Sequence, residues 1–580
     1  MKEFRFKGSE KFLATIHAFS ATEKVVFAFF TLIALISALS LAWKVNSLFL
    51  IPIPAHGGSF SEGMIGLPRS INPVLAFTET DKNLSNLIYS GLMKFDGDEI
   101  VKDIAETYTV SEDGLVYDFK IKDNIRFHDG TQLTTDDIEF TIQKIQDNEI
   151  KSPKYVDWAS VIIKKISPTE IQFVLRQPYA PFLSNTTIGI IPKNIWKNQS
   201  PEQFIFNQKN LEPIGSGPYK VNNIVKDKAG TPTSYNLSSF NKYHNGEPFI
   251  SDINIIFYQN EDMAIDAFKS GIINNFAGIS PQKSYEISSS TQNVNIIHNP
   301  LPRIFGVFFN QNNLPVLANK EVRQALNMVV DKDAIIQKAL YGYAVSINSP
   351  IPLNEATSTI KKEEIDIEKN IQSAKDLLSK SGWAINENGI LEKKTKTTKQ
   401  TLELSISTAD STELKLIAEM VKKSWEELGA KVTVKVYEFG DLSQNIIKTR
   451  KYDTLLFGEI INKDLDLYAF WHSSQRNSPG LNVSMYVNSK ADKILEDART
   501  SFDEKTKDSL YKSFEEIIKD DVPAIFLYSP EYLYMMSKEI KGYDMKTISS
   551  PSDRFSGIDK WYIKTDKVWE IFVKDTETNK

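Results

Sequence analysis

An α/β body held outside the cell behind one N-terminal transmembrane helix is the fold class that three features of this 580-residue chain predict. Residues 25–43, VVFAFFTLIALISALSLAW, carry no charge. No second apolar run of membrane length follows, and the remaining ~520 residues are too many for one core and divide best into two or three lobes. Along them, apolar residues switch between a period of two and a period of 3.6, which is how strands and helices alternate in a sequence.

At 1.5 Å per residue the uncharged run makes a helix of about 28 Å, just long enough to cross a hydrocarbon core. Lys2, Arg5, Lys7, Lys11 and Lys24 precede it and only Lys44 follows closely, which puts residues 1–24 in the cytoplasm and the body outside. A cleaved signal peptide is the rival, since Ser40 and Ala42 are small. The length of the run and the apolar residues 48–51 behind it favour an uncleaved, single-pass anchor over 25–50. The sequence IPIPAHGG (51–58) cannot continue a helix and reads as a spacer, giving a linker over 51–60.

In the body, Tyr117, Phe119 and Ile121 alternate with polar neighbours as in a strand, and Asp129-Gly130 supplies a turn. TTDD (134–137) is a capping box before a helix marked by Ile138, Ile142 and Ile145. Leu414, Ile417, Ala418, Val421, Trp425 and Leu428 form one apolar helical stripe that Gly429 ends. Val432, Val434 and Val436 then mark a strand, and 452–457 a second one after a helix-compatible connector, a βαβ-like unit. Leu510, Phe514, Ile517 and Ile518 mark a late amphipathic helix. The polar stretch 393–400 reads as a solvated loop.

Several chemistries are excluded. The 74 acidic and 68 basic side chains nearly cancel to −6, so no general positive field exists for nucleic acid. Cysteine is absent, which removes thiolate nucleophiles, cysteine-rich metal sites, disulfides and a lipid-modified cysteine. The six histidines stand far apart, no phosphate-binding GxxxxGK[ST] or GxSxG elbow occurs, and GSGPY (215–219) lacks the third glycine of a dinucleotide fingerprint. Asn462, Asp464 and Asp466 resemble the start of a calcium loop, but Leu467 and Ser473 stand where glycine and glutamate are required. No metal or cofactor is expected. His128, beside the turn, reads as structural. Paired carboxylates of a glycosidase are not excluded by sequence.

A series of local patterns in order then resembles the family-5 extracellular solute-binding proteins, the dipeptide and oligopeptide receptors of ABC importers. They are GLPRSINP (66–73), LIYSGL (87–92), SEDGLVY (111–117), IRFHDGT (125–131), LTTDDI (133–138), GSGPY (215–219), EVRQAL (321–326), GLNVSMY (480–486) and DVPAIFLY (521–528). Each is weak alone; their order carries the resemblance.

It implies a two-lobed periplasmic-binding-protein-like fold of the large peptide-binding class. Lobe I would be 61–304, with an extra subdomain at about 85–220, lobe II 305–522, and 523–580 would return to lobe I, with crossings near 300–308 and 523–529. It also implies a monomer that closes on a peptide and delivers it to a permease with separate ATPase subunits. An aspartate that pairs with a peptide's ammonium in such proteins aligns with Ile461 here. The expected ligand surface is therefore Arg69 and Asn72, then Glu459, Asp464 and Asp466 as substitute carboxylates, Trp471 and His472 beside them, and Asn482 and Tyr486. A nickel complex or sugar as ligand, or a cleft enzyme such as a glycosidase, is the alternative.

Overall fold

The computed structural model describes residues 15–97, 99–290, 294–351, 366–394, 399–461, 465–544, 548 and 550–569. They fall into two compact units, Met1–His56 with Tyr562–Lys580, and Gly57–Trp561.

The first unit is built on helix α1 (Ala21–Leu48). Ser20 starts it with a capping box, its hydroxyl accepting from the Glu23 N–H while the Glu23 carboxylate accepts from the Ser20 N–H. None of its residues is buried. The expected spacer proves to be a strand instead: β1 (Leu50–Ala55) pairs antiparallel with a C-terminal strand, Lys564–Trp569. Pro52 and Pro54 share one parity, so both missing N–H groups lie on the outer side of the ladder, where proline is tolerated.

In the second unit, β2 (Ser59–Ile65) leads to α2 (Glu79–Ile88), which Thr78 caps through Asp81. A hairpin, β3 (Met93–Asp96) with β4 (Glu99–Lys102), precedes a four-stranded antiparallel sheet. That sheet contains β5 (Ala105–Val110), β6 (Val116–Ile121), β7 (Ile162–Lys165) and β8 (Glu170–Val174), in the order β5-β6-β8-β7. Helix α3 (Thr135–Gln146) follows β6 and carries the capping box expected at Thr134 and Asp137. The inward residues of β6, Tyr117 and Phe119, pack with Phe173 and Phe182.

The main sheet has twelve strands. Its first contributions after β2 are β9 (Tyr219–Lys226), β10 (Pro232–Ser239) and β11 (Asp252–Tyr258), then α4 (Glu261–Lys269), β12 (Asn275–Ala277) and β13 (Val294–Pro300). β14 (Arg303–Phe309) opens the next region, followed by α5 (Lys320–Met328), α6 (Lys332–Ala339), β15 (Ala344–Ser346) and α7 (Ile367–Lys380). A small sheet, β16 (Trp383–Ile385), β17 (Leu391–Lys394) and β18 (Lys399–Thr401), occupies part of the stretch expected to be a loop. Then come β19 (Glu403–Ala409), α8 (Thr412–Leu428), β20 (Lys431–Tyr437), β21 (Thr454–Ile460), α9 (Ser489–Thr500), α10 (Glu504–Asp521) and β22 (Ala524–Ser537).

The strand order is β20-β19-β21-β14-β22-β12-β2-β11-β10-β9, with β13 and β15 also on β22. β19 is parallel to both β20 and β21, so the βαβ-like unit is real, but β20 and β21 flank β19 and do not touch. Helix α8 ends at Gly429 with φ +108°, a left-handed cap for which glycine carries no steric penalty. Its stripe enters a core with Leu326, Ile406 and Ile525 on one face of the sheet, and Trp425 Nε1 donates to the Leu326 carbonyl. On the other face, Phe308, Leu455 and Trp471 pack with Leu495 of α9 and Phe514 of α10.

The motif glycines serve close backbone approach. A Cβ on Gly215 would sit 2.0 Å from the Ile88 carbonyl oxygen, and the Gly217 N–H donates to that same oxygen. The neighbouring His128 has the structural role expected. Its Nε2 lies 3.0 Å from the Gly217 carbonyl, its Nδ1 accepts from the Gly215 N–H, and burial pushes it down to about 4.

Lys332 generates a stability prediction. Among the described residues its buried ammonium donates only to neutral groups, the Ile347 carbonyl at 3.0 Å and Asn348 Oδ1 at 2.7 Å. Burial pushes it down to about 8, whereas in the unfolded chain it titrates at about 10.4. Between those pH values the unfolded state binds the extra proton, so stability rises with pH and the gain is lost as pH falls to 8. Urea titrations from pH 8 to 10 should show a rise of up to about 3 kcal/mol relative to Lys332→Met, and parallel curves would refute the assignment.

Candidate ligand cleft

Two adjoining cavities, of about 450 and 510 Å³, share Glu79 and Arg303 in their walls. The first lies among the end of α2 (Asn86) with its C-cap Tyr89, the end of β21 (Ile460) with Ile461 after it, and the segment around Asp553. The second lies among β2, the start of β14, the first turn of α8 and the middle of β22. Residues far apart in sequence therefore converge where β14 and β22 run antiparallel, Phe305 opposite Tyr528.

The second cavity sets a few charged groups among mostly apolar walls. Arg303 is the first residue of β14, its Nε is buried, and it has no hydrogen-bond partner among the described residues. Burial pushes its pKa down and Glu79 opposes that. Glu413, in the first turn of α8, makes no hydrogen bond or ion pair with the described residues. Glu531 lies 2.9 Å from His298 Nδ1, and burial pushes its carboxyl up while the histidine opposes the shift. The rings of Phe305 and Tyr528 stack at 4.9 Å, 2° from parallel, as an apolar wall.

Beneath this cavity lies a fully buried ion pair. The Glu62 Oε1 accepts from Arg554 Nε at 3.1 Å and Nη2 at 2.9 Å, and Tyr534 OH donates to Oε2 at 2.7 Å. Arg554 Nη1 donates to Asn83 Oδ1 and the Pro551 carbonyl, both at 2.8 Å. With the charge neutralised and hydrogen-bonded, burial is tolerable. Arg554 also borders the cavity, but its charge is already matched.

Of the nine residues expected at the ligand surface, Asp464 lies outside the described residues, and the other eight line neither cavity. Arg69 is exposed on its loop, where its N–H donates to Asp81. Six have partners within the protein in place of the ligand contacts expected. Asn72 bonds Asn210 and the Val74 N–H. Asp466 pairs with Arg499 at 3.1 Å and accepts from the Tyr468 N–H. Trp471 is core, and His472 stacks on Tyr468 at 4.1 Å with Nδ1 on Ser474. Asn482 donates to the carbonyls of Trp471, His472 and Tyr486, and Tyr486 OH donates to Asp521. Glu459 is buried with neither oxygen partnered among the described residues, and burial pushes its pKa well up. Ile461 borders the first cavity while its side chain belongs to the core.

Sequence reasoning did not single out Glu79, Arg303, Glu413, Tyr528 and Glu531, which line the cavities. Only Tyr528 stands inside a quoted motif; the others carry no local pattern, because the fold alone brings them together.

A mixed α/β sheet with a roomy, charged cleft at its crossing strands defines a protein built to hold a solute. The model described as "Bacterial extracellular solute-binding proteins, family 5 Middle" matches residues 99–480, and the chain belongs to that family, as its ordered motifs had indicated. The chain is similar to the oligopeptide-binding protein AppA of Bacillus subtilis (strain 168), 28% identical over 525 residues, which are 88% of this chain and 92% of that protein. A structure of Bacillus subtilis AppA in complex with a nonapeptide matches with TM-score 0.67 at 26% identity, over 88% of this chain and 100% of that one. The substrate-binding protein CtaP of Listeria monocytogenes matches with TM-score 0.73 at 26% identity, over 88% and 99%. The family is one of extracellular binding proteins, which places the body outside the cytoplasm.

The placement of Asn482 is testable. Asn482→Ala strands the buried Trp471 and Tyr486 carbonyls and the Tyr486 N–H, and should lower stability by about 2–3 kcal/mol in urea denaturation. A change below about 0.5 kcal/mol would return this side chain to the list of free, ligand-facing groups.

Proposed function

We propose that this protein is the substrate-binding component of an ABC importer that captures oligopeptides outside the cytoplasm and passes them intact to a permease powered by separate ATPase subunits. The observation that carries the reading is the pair of adjoining cavities at the crossing strands, continuous in lining through Glu79 and Arg303. The peptide ligands named for the Bacillus subtilis relative support it.

An extended peptide presents one donor and one acceptor per residue and binds best as an added strand. β21 offers a place for one. β14 pairs along all of it, whereas β19 pairs only with Thr454 and Leu455. Arg303 suits a peptide carboxylate or carbonyl, Glu413 and Glu531 suit an ammonium, and the Phe305–Tyr528 wall suits an apolar side chain.

In this reading the lobes are 61–304 and 305–522, with 523–561 returning to the first, and β13–β14 and β22 form the hinge. Ligand that touches both lobes favours the closed state through contacts the open state lacks. Helix α1 is an uncleaved single-pass anchor, the body is a monomer, and no bond in the ligand is made or broken.

Isothermal titration against defined oligopeptides should give saturable binding, with a smaller radius of gyration in solution scattering when peptide is bound. Peptides that give no heat, or an unchanged radius at saturation, would overturn transport-type capture. Arg303→Gln should weaken peptide binding about 10- to 100-fold with little effect on stability; unaltered affinity would remove Arg303 from the site.

A further inference from the structure

Strand 564–569 meets β1 just beyond the last turn of α1. The C-terminal strand pairs with β1 from Leu50↔Trp569 to Ala55↔Lys564. It therefore runs toward the helix, and Trp569 arrives beside the last turn of α1. There Trp569 Nε1 donates to Asn46 Oδ1 at 2.7 Å, and its ring lies 6.1 Å from that of Phe49.

The depth of these groups follows from helix geometry. The uncharged run 25–43 spans about 28 Å, the thickness of a hydrocarbon core. Trp43 then stands at its outer boundary, and residues 46–49, with Trp569 beside them, fall roughly 5–9 Å further out. That is the headgroup layer, where indole rings are most favourably placed. Trp43, Phe49 and Trp569 are 75%, 56% and 42% exposed. Asn46 already satisfies the one polar atom of Trp569, which leaves its apolar ring free to face lipid. A two-stranded ribbon is marginal by itself in water, so aromatic rings clustered at one end of it need a further apolar partner.

We propose that Trp569 is a second membrane contact: the C-terminal strand, clipped to β1, holds this ring with Trp43 and Phe49 in the outer headgroup layer of the bilayer. The inference rests on the reading of α1 as a membrane anchor. Both ends of the folded body are then tied to the membrane surface through a paired ribbon, in place of attachment by one flexible strand.

The chain has no native cysteine, so single labels report cleanly. Full-length protein carrying an environment-sensitive fluorophore at Trp569→Cys, or separately at Lys564→Cys, is reconstituted into phosphatidylcholine vesicles with quenchers placed at defined depths. The label at 569 should be blue-shifted and quenched by headgroup-depth quenchers at least about twofold more than that at 564, which lies at the far end of the ribbon. In Ile51→Cys/Val568→Cys, facing positions of the ladder, mild oxidation should cross-link the two ends in vesicles. Vesicle-bound protein whose 569 label is as wet as its 564 label, or whose paired cysteines do not cross-link, overturns the inference and leaves the anchor standing. Protein that stays in the supernatant overturns the anchor reading and this inference with it.

Discussion

One long strand has to satisfy two sets of partners, and the cleft exists because it does. Toward its start β22 pairs with β14 and β15; from Glu531 onward it pairs with β13 and, at Tyr534 and Met535, with β12. At the change of partner the Leu301 N–H donates to the Pro530 carbonyl and Ser529 donates back to the Leu301 carbonyl. Backbone groups at such a junction are buried and must be paired, so the two segments that cross are fastened to one another. Tyr534, further along β22, reaches Glu62 of β2, and Arg554 closes the same network. One end of the crossing strand is thus set into a rigid polar core while the other runs between the helices of the opposite half of the sheet.

That arrangement explains the chemistry of the cavity walls. Arg554 and Glu62 cancel within the core, so their burial adds no net field to the cleft. Arg303, Glu413 and Glu531 are different: among the described residues Arg303 and Glu413 line the cavity with no ion pair, Arg303 feeling only the field of Glu79, and Glu531 pairs with His298. Unpaired charge beside a cavity is costly once water is excluded, which is the condition that a charged ligand relieves. In the proposed capture mechanism, a ligand that supplies both an ammonium and a carboxylate would lower the free energy of a closed arrangement more than that of an open one. This differential is what the proposed capture mechanism requires.

The sequence was legible wherever a local rule decides the outcome. The stripe of α8 with its Gly429 cap, the Thr134 capping box and the alternating β6 all depend on near neighbours, and all are present as read. GSGPY and LIYSGL were legible as patterns though not as causes. Their glycines are there because the Ile88 and Thr187 carbonyls pass within 3 Å of where a Cβ would be. Failures occur where a distant partner decides. Residues 50–55 became a strand only because 564–569 supplies the other edge, and β17 is a strand because β16 and β18 flank it. The described residues expected at the ligand surface lie away from both cavities for the same reason. Trp471, His472 and Asn482 form a dense polar and aromatic sequence that looks functional, yet it closes on itself. Arg303 and Glu413 look ordinary in sequence and gain their setting only from the crossing of β14 and the start of α8.

The loop after β21 shows how a family pattern can shift without loss of the cleft. Strand alternation puts Leu455, Phe457, Glu459 and Ile461 on one face, and that face is the core containing Ile304 and Leu467. An isoleucine at 461 seals this core, where a carboxylate would have to stay charged and find a ligand. Glu459, two residues earlier and opposite Ile304, faces the same interior, and burial favours its neutral form. A neutral carboxyl attracts an ammonium far less than an ionised one. Among the described residues, the carboxylate lining the second cavity with neither a hydrogen bond nor an ion pair is Glu413, whereas Glu531 already pairs with His298. If a peptide is held here by its amino terminus, that terminus points toward the first turn of α8 and not toward the end of β21.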